Sequence, residues 1–330
     1  MQTQSIAVVT GANGFVGSHL VDLLLSKNYQ VRCLVRQSSN LRWLEGKNVE
    51  IFDTGLFDKD GIRKAFDKAE YIYHVAGVVK SKTKEGYFRG NVDTTRNLLE
   101  VALENSDTIK RFLVVSSQTV TGPSTKEKPV DENTECKPIT TYGKSKLEEE
   151  KLVLSYKDKL PVTICRAPAV YGERDTEIFI YFNTFNKGLT TTIGFNRKEL
   201  SLIHAVDLVE GFFLAATNHK AVGEIYFIGS EKYYTWEEIN RITSKVLNKK
   251  PIIIKVPHFL VFTIAAVAQF LALFSSKPAT LNIEKAKDIT QQFWTCDTSK
   301  AIRDLGYKQK ISIEDGIKRT CEWYKQMKWF

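Results

Sequence analysis

The strongest constraint on this chain is a glycine-spaced turn set between a strand and a helix near its start. Ser5-Ile6-Ala7-Val8-Val9-Thr10 is a short apolar run rich in β-branched residues and reads as a buried strand. Thr10-Gly11-Ala12-Asn13-Gly14-Phe15-Val16-Gly17 follows at once, and Val16, Leu20, Leu23 and Leu24 then recur at helical spacing over residues 15–27. A glycine triplet alone is weak evidence, but here it sits in the strand–turn–helix context that dinucleotide binding requires. Gly11 permits the tight turn, Gly14 lets a pyrophosphate approach the backbone, and Gly17 allows close helix–strand packing. The free N–H groups and positive dipole of the helix N-terminus complete an anion site, to which Asn13, Phe15 and Val16 also belong. The competing reading is a turn whose glycines serve packing alone.

The alternation continues. Strands are expected at 31–35, 49–52, 71–75, 111–116 and 161–166, with helices at 91–102 and 141–156. This order implies an α/β protein with a doubly wound parallel sheet, a Rossmann fold, covered on both faces. After Arg166 the pattern loosens. Leu200–Ile203, Val206–Ala216 and Ile225–Ile228 are expected to return to the sheet as strand, helix and strand. Trp236–Leu247, Ile283–Ile289 and Ile311–Met327 read as helices of a smaller lobe. The expected division is a dinucleotide-binding domain at 1–166, with 200–228 returning to it, and a mostly helical substrate lobe at 167–199 and 229–330. The loop from Val120 to Thr140 is long enough to expect a function for it.

The chain of 330 residues carries 47 Lys plus Arg against 38 Asp plus Glu, a net charge of +9. That favours anionic partners. The charge is scattered, however, and the run Lys80-Ser81-Lys82-Thr83-Lys84 reads as a solvated basic loop, so no nucleic-acid partner is expected. The five cysteines form no C-x-x-C pair and the histidines no H-E-x-x-H, so neither a metal nor a disulfide framework is expected. With no signal-peptide pattern before Ser5, a reduced, cytoplasmic compartment fits best.

Two features point to chemistry. Where a site built for NAD places an acid after the second strand, this chain has Leu34-Val35-Arg36-Gln37-Ser38. An arginine there suits a 2′-phosphate, because its planar fork pairs bidentately with phosphate oxygens. NADP is therefore expected, with NAD as the alternative. Then Tyr142-Gly143-Lys144-Ser145-Lys146 puts Tyr142 and Lys146 four apart, on one face of a helix. A tyrosine of ordinary pKa, about 10, is a poor acid–base catalyst near neutrality, and a nearby cation lowers that value. Y-x-x-x-K alone is a common accident. Here Val115-Ser116-Ser117 ends the fifth strand at the carboxyl edge, where ligands bind in such sheets, and a serine hydroxyl there can donate to a developing oxyanion.

Cradle, strand-end serine and Y-x-x-x-K occur in the order found in the extended short-chain dehydrogenase/reductase family, also called the NAD-dependent epimerase/dehydratase family, which the chain resembles over nearly its whole length. His74-Val75-Ala76-Gly77, Asn91-Val92-Asp93-Thr94-Thr95-Arg96-Asn97, Arg166-Ala167-Pro168-Ala169-Val170-Tyr171-Gly172 and Ile203-His204-Ala205-Val206-Asp207-Leu208 carry the likeness further. The resemblance implies that Ser117 and Tyr142 contact the reacting oxygen and that Lys146 holds the cofactor ribose and tunes Tyr142. It implies that Asn91 supports the active-site helix, that Val75, Ala76, Gly77 and Ser116 line the cofactor, and that the Pro168, Ala169 and Val170 backbone faces the nicotinamide. His204 and Asp207 look structural. It also implies a homodimer.

The chain departs from the family pattern in three places. Thr54-Gly55-Leu56 stands where the family often has Gly-Asp-Leu, so the acid near adenine is missing and Leu56 is the contact left. Val120-Thr121-Gly122 replaces Val-Tyr-Gly. Ser117-Gln118-Thr119 lacks the acid pair of sugar-nucleotide dehydratases, which argues against dehydration. Val256-Pro257, Trp294, Asp297-Thr298-Ser299-Lys300-Ala301 and Leu305-Gly306-Tyr307 resemble dihydroflavonol-reductase-like and 3β-hydroxysteroid-dehydrogenase-like members. The expectation is an NADP(H)-dependent oxidoreductase interconverting a carbonyl and a secondary alcohol on an apolar or polycyclic small molecule. The rivals are a nucleotide-sugar epimerase and a non-catalytic NADP-binding regulator. Residues 256–274 contain no Asp, Glu, Lys or Arg. They are expected to form a buried or substrate-lining helix, with peripheral membrane contact as the alternative placement.

Overall fold

Seven parallel strands run through the centre of the protein, and the sequence of each explains why it is there. The computed structural model describes residues 4–275 and 278–330. The first half alternates β1 (Ile6–Thr10), α1 (Phe15–Ser26), β2 (Gln30–Leu34), β3 (Val49–Phe52), α2 (Lys59–Phe66), β4 (Tyr71–His74), α3 (Lys84–Phe88), α4 (Thr94–Glu104), β5 (Arg111–Ser117), α5 (Thr141–Leu154) and β6 (Val162–Ala167). The second half contains β7 (Ala169–Tyr171), α6 (Phe179–Asn186), β8 (Leu189–Ile193), β9 (Glu199–His204), α7 (Ala205–Thr217), β10 (Ile225–Phe227), β11 (Tyr233–Thr235), α8 (Trp236–Leu247), β12 (Ile252–Val256), α9 (His258–Leu271), α10 (Ile283–Thr290), β13 (Phe293–Trp294), α11 (Ser299–Leu305) and α12 (Ile313–Gln326).

The large sheet has the order β10-β6-β5-β4-β1-β2-β3, with every pairing parallel. Its inner strands are buried along most of their length because both faces are covered, as in β1 and β6, whereas edge strand β3 keeps Glu50 and Ile51 exposed. Ala7 and Val9 of β1 point into one core with Leu20 and Leu24 of α1 and Phe212 of α7, while Val8 points into the other with Ile62 of α2 and Leu98 of α4. The chain builds outward from β1 to β3 and then returns to β4. The switch point lies between β1 and β4, and ligands of such sheets bind at the carboxyl ends of the strands there.

Three expectations need correction. Of the elements expected to return to the sheet, Ile225–Phe227 joins it and α7 covers it, but Glu199–His204 does not. It pairs with β7, β11 and β13 in a separate four-stranded sheet, and β8 and β12 form a third. The helix expected at 91–102 begins instead with a π-helical turn at Arg89–Asp93, which turns Asn91 inward. The apolar segment 256–274 is a helix, but not a buried one. Only Val261 and Ala265 of α9 are buried, Phe262 is half-buried beside them, and most of its other large apolar side chains face outward. The loop 120–140 straps the lobe to the sheet. Val130 N–H donates to the Thr295 carbonyl at 3.0 Å, and Glu132 accepts from the Phe227 N–H at 2.8 Å on edge strand β10.

Candidate active site

The turn after β1 has the geometry that its glycines foreshadow. Gly11 adopts φ +65°, and a Cβ there would lie 2.9 Å from the backbone of Ala76. This is how the ends of β1 and β4 come together. Ala76 N–H donates to Thr10 Oγ1 at 3.1 Å. Gly17 is buried against the turn, where a Cβ would stand 2.1 Å from the Gly11 carbonyl oxygen. Gly14, by contrast, is exposed and meets only the Gly11 carbonyl oxygen, at 3.2 Å. No side chain caps α1 and no acid occupies its first turn, so the N–H groups of Phe15, Val16 and Gly17 and the positive dipole end stay open to an anion. Asn13 reaches across to the Asn40 carbonyl at 3.4 Å.

Arg36 follows β2 at the same edge, exposed, with no carboxylate in ion-pairing range among the described residues. Leu56 is half-buried, and its carbonyl accepts from Asn97 Nδ2 at 3.0 Å. Val75 and Ala76 are half-buried and Gly77 is exposed at the end of β4. An open helix N-terminus, a bare glycine backbone and an exposed arginine form a donor set that fits a nicotinamide dinucleotide.

The catalytic candidates lie on β5 and α5. Ser117 pairs in register with Ala167, which places Pro168, Ala169 and Val170 beside the end of β5, all three half-buried. Ser117 Oγ accepts from Thr119 N–H at 3.2 Å and from Thr119 Oγ1 at 3.0 Å, and its own proton remains for the Tyr142 hydroxyl. Ser116 is buried with no partner for its hydroxyl among the described residues. Thr140 caps α5 through the Gly143 N–H at 3.1 Å. Gly143 lets the helix start close to that serine, since a Cβ there would come within 2.7 Å of the Thr119 carbonyl oxygen.

Tyr142 does not have the lowered phenol that its spacing from Lys146 suggests. Burial raises it, the Lys146 charge pulls it down, the Glu149 carboxylate pushes it up, and the balance stays above the usual value. Lys146 Nζ donates to the Val115 carbonyl at 2.9 Å and is ion-paired with Glu149. Both side chains are buried.

Glu149 belongs to a polar chain through the core that reading the sequence missed. Thr95 Oγ1 lies 3.0 Å from Glu149 Oε1 and 2.8 Å from His74 Nε2, and His74 Nδ1 lies 2.8 Å from Thr10 Oγ1. The glycine turn after β1 and Lys146 are thus joined by four buried side chains: Thr10, His74, Thr95 and Glu149. His74 stays neutral, because burial and then the Lys146 charge hold its pKa down to about 3. Glu149 is 3.6 Å from it, but that carboxylate is already taken by Lys146. The one local hint was the i,i+3 spacing of Lys146 and Glu149; the rest is contact through space. Asn91 holds the neighbouring turn. It accepts from the Val78 N–H at 2.7 Å and donates to Ser145 Oγ at 2.8 Å, and Ser145 in turn donates to the Tyr142 carbonyl at 2.8 Å. The π-helical turn at Asn91 fits the habit of such turns to mark functional sites.

His204 and Asp207 lie away from these groups. His204 packs edge-on against Tyr171 with its Nε2 3.3 Å from Glu173, and Asp207 accepts from the Lys310 and Ile311 N–H groups at 3.0 and 2.9 Å.

Comparison with known proteins gives a consistent picture. Residues 7–229 match the family described as the NAD dependent epimerase/dehydratase family. The chain is 27% identical over 327 residues to a ceramide reductase of Caulobacter vibrioides, covering 99% of this chain and 96% of that protein. It is 24% identical to the decarboxylating sterol-4-alpha-carboxylate 3-dehydrogenase of Dictyostelium discoideum, covering 94% of this chain and 98% of that one. The fold is similar to that of a UDP-glucuronic acid 4-epimerase from Bacillus cereus solved with UDP-glucuronic acid and NAD. The TM-score is 0.79 at 23% identity, over 98% of this chain and 99% of that one.

Proposed function

The chain belongs to the NAD dependent epimerase/dehydratase family and is an enzyme of the extended short-chain type, and from that premise we propose that it is an NADP(H)-dependent reductase interconverting a carbonyl and a secondary alcohol on an apolar substrate. The observation that carries the reading is the set Ser117, Tyr142 and Lys146 at the carboxyl end of β5, tied through Glu149, Thr95 and His74 to the phosphate turn. When bound, the nicotinamide supplies or accepts the hydride. The protein's part is to hold the reacting oxygen and move a proton. Ser117 donates a hydrogen bond to the oxygen. Tyr142 gives its phenolic proton to that oxygen in reduction and takes it back in oxidation. Lys146 carries the positive charge that makes the resulting phenolate bearable.

Arg36 supports NADP over NAD, because an exposed guanidinium at the end of β2 suits a 2′-phosphate. Two relatives named for lipids, a ceramide and a sterol, support an apolar substrate. Gln118 beside Ser117 is no acid, which argues against a dehydratase. We read residues 167–199 and 229–330 as the lobe that receives the substrate.

The test is NADPH consumption by purified protein against hydrophobic ketones and nucleotide sugars, with NADH in parallel. Net oxidation of NADPH by a ketone is expected. Tyr142→Phe should lower kcat by about 10² to 10⁴ while leaving the cofactor Kd unchanged. Isomerised sugar without net oxidation would replace the reading with an epimerase. Unchanged function in Tyr142→Phe would replace it with a cofactor-binding regulator.

A further inference from the structure

α9 carries its apolar side chains on the wrong face for a helix of a water-soluble lobe. Val261 and Ala265 pack on Ala286 of α10, with Val256 and Ile289 around them. Outward stand Phe259, Val267, Phe270 and Leu271, followed by Leu273 and Phe274, with exposures from 54% to 80%. The preceding strand β12 adds Ile252 and Ile253, 68% and 54% exposed. Apolar residues scattered singly over a surface need no explanation, but a contiguous patch of large ones marks an interaction site.

The charge around this patch identifies what covers it. No Asp or Glu occurs from Ile239 to Ile283, against six Lys and Arg. Lys249, Lys250 and Lys255 are exposed where the chain enters the patch, and Lys82 reaches the Ser275 carbonyl at its far end. Two copies of this face set against each other would bring the lysines of this stretch together with no Asp or Glu of the same stretch to answer them. An anionic lipid surface answers both features at once, with acyl chains for the phenylalanines and headgroups for the lysines. α9 has 14 residues, about 21 Å of helix, less than the roughly 30 Å of a bilayer's hydrocarbon core. Among the described residues no helix is long and apolar enough to cross a membrane. The geometry therefore suits a helix lying in the interface.

Behind α9 the path to the catalytic tyrosine is short. Gln269 accepts from the Ile283 N–H at 3.1 Å at the start of α10. Glu284, on that same turn, accepts from the Thr141 N–H at 3.0 Å and from its hydroxyl at 2.6 Å, one residue before Tyr142. We propose that α9 with its lysine rim docks the enzyme on an anionic bilayer, and that the substrate is a membrane-resident amphiphile whose carbonyl or hydroxyl lies near the headgroup level. The docking stands on the surface alone; the substrate class rests on the reductase reading above.

The test is co-sedimentation of the full chain with vesicles of phosphatidylcholine alone and of phosphatidylcholine with phosphatidylglycerol. Binding should be stronger to the mixed vesicles and weaken with added salt. The double variant Val267→Asp/Phe270→Asp alters only exposed side chains, so its melting temperature should match that of the parent. Its partitioning onto vesicles should fall by at least about tenfold. Turnover of a short water-soluble ketone should stay unchanged, while turnover of a long-chain keto-lipid presented in vesicles falls. A parent protein that stays in solution with every vesicle, or a double variant that binds like the parent, overturns the docking. So does a double variant that turns an oligomer into a monomer when neither protein binds vesicles, because the face is then a self-interface. Vesicle binding without reduction of any ketone leaves the docking standing and removes the reductase reading and the substrate class with it.

Discussion

Gly14→Ala and Gly17→Ala separate a phosphate cradle from a turn that merely packs well. The two glycines are three residues apart, yet a methyl group meets different surroundings at each. At Gly17 the new Cβ would lie 2.1 Å from the Gly11 carbonyl oxygen and 2.8 Å from its carbon, both backbone atoms. Ordinary contact begins at 3.4 Å, so α1 must retreat by about 1.3 Å. Overpacking of this kind costs about 1–3 kcal/mol, and a rigid backbone neighbour places it at the upper end. The melting temperature should drop by several degrees. At Gly14 the backbone has φ −82°, ordinary for any residue, and the nearest atom is 3.2 Å away on an otherwise open side. Alanine there should change stability by less than about 1 kcal/mol. The open side, however, is where a pyrophosphate must come close to the chain. A methyl group in that gap should cost about 1–3 kcal/mol of binding, a rise in the NADPH Kd of about 5- to 150-fold. Thermal melts and a titration of NADPH fluorescence read the two effects independently. Wild-type affinity in Gly14→Ala would refute the close approach of phosphate to this backbone. An unchanged melting temperature in Gly17→Ala would refute the contact argument itself.

Other outcomes follow from the same geometry. Arg36→Glu should weaken NADPH binding about 10- to 100-fold, the size of a lost charge-assisted contact, and leave NADH nearly untouched; parallel titrations check it. Arg166 and Glu150 form a buried pair, Nη2 to Oε2 2.7 Å with both side chains 3% exposed. Arg166→Ala should cost about 3–5 kcal/mol in urea denaturation, and Arg166→Met/Glu150→Leu should recover most of that loss. His74 titrates at about 3 in the folded protein against about 6.5 unfolded, so the unfolded chain binds the extra proton as the pH falls. The stability this group protects is intact above about pH 6.5 and is lost progressively below it, by about 2 kcal/mol at pH 5. His74→Gln should be weaker than the parent at pH 7.5 but fall less between pH 7.5 and 5; equal falls would show that His74 is not the responsible group.

Much of the fold was legible because its signals are local. A strand, a glycine turn and a helix occupy consecutive residues, and so do Tyr142 and Lys146 on one helical face. What was missed lies in contacts between distant residues. Helix α2 went unread because Lys59-Asp60-Gly61-Ile62-Arg63-Lys64 looks polar, although Asp58 caps it at 3.1 Å and Ile62, Ala65 and Phe66 form its buried stripe. The sequence places strand β9 in the large sheet because a short apolar run carries no record of its partners, and here those partners are β7, β11 and β13. His74 and Thr95 belong to two motifs far apart in the sequence, and only the fold brings them between Thr10 and Glu149.

Residues 256–274 show the limit most sharply. A run without charges has the same hydropathy whether it is wrapped by a core or turned outward. The distinction depends on how much apolar surface the rest of the chain offers in return. Here α10 offers a single buried alanine, Ala286, with a few half-buried neighbours, enough to hold Val261 and Ala265 and part of Phe262. The remaining side of α9 must find its apolar environment outside the molecule. At roughly 25 cal/mol per Å² of apolar surface removed from water, a helix that leaves six large side chains in solvent forgoes several kcal/mol that a bilayer would return. The missing carboxylates from Ile239 to Ile283 point the same way, since an acid in that stretch would oppose contact with anionic headgroups.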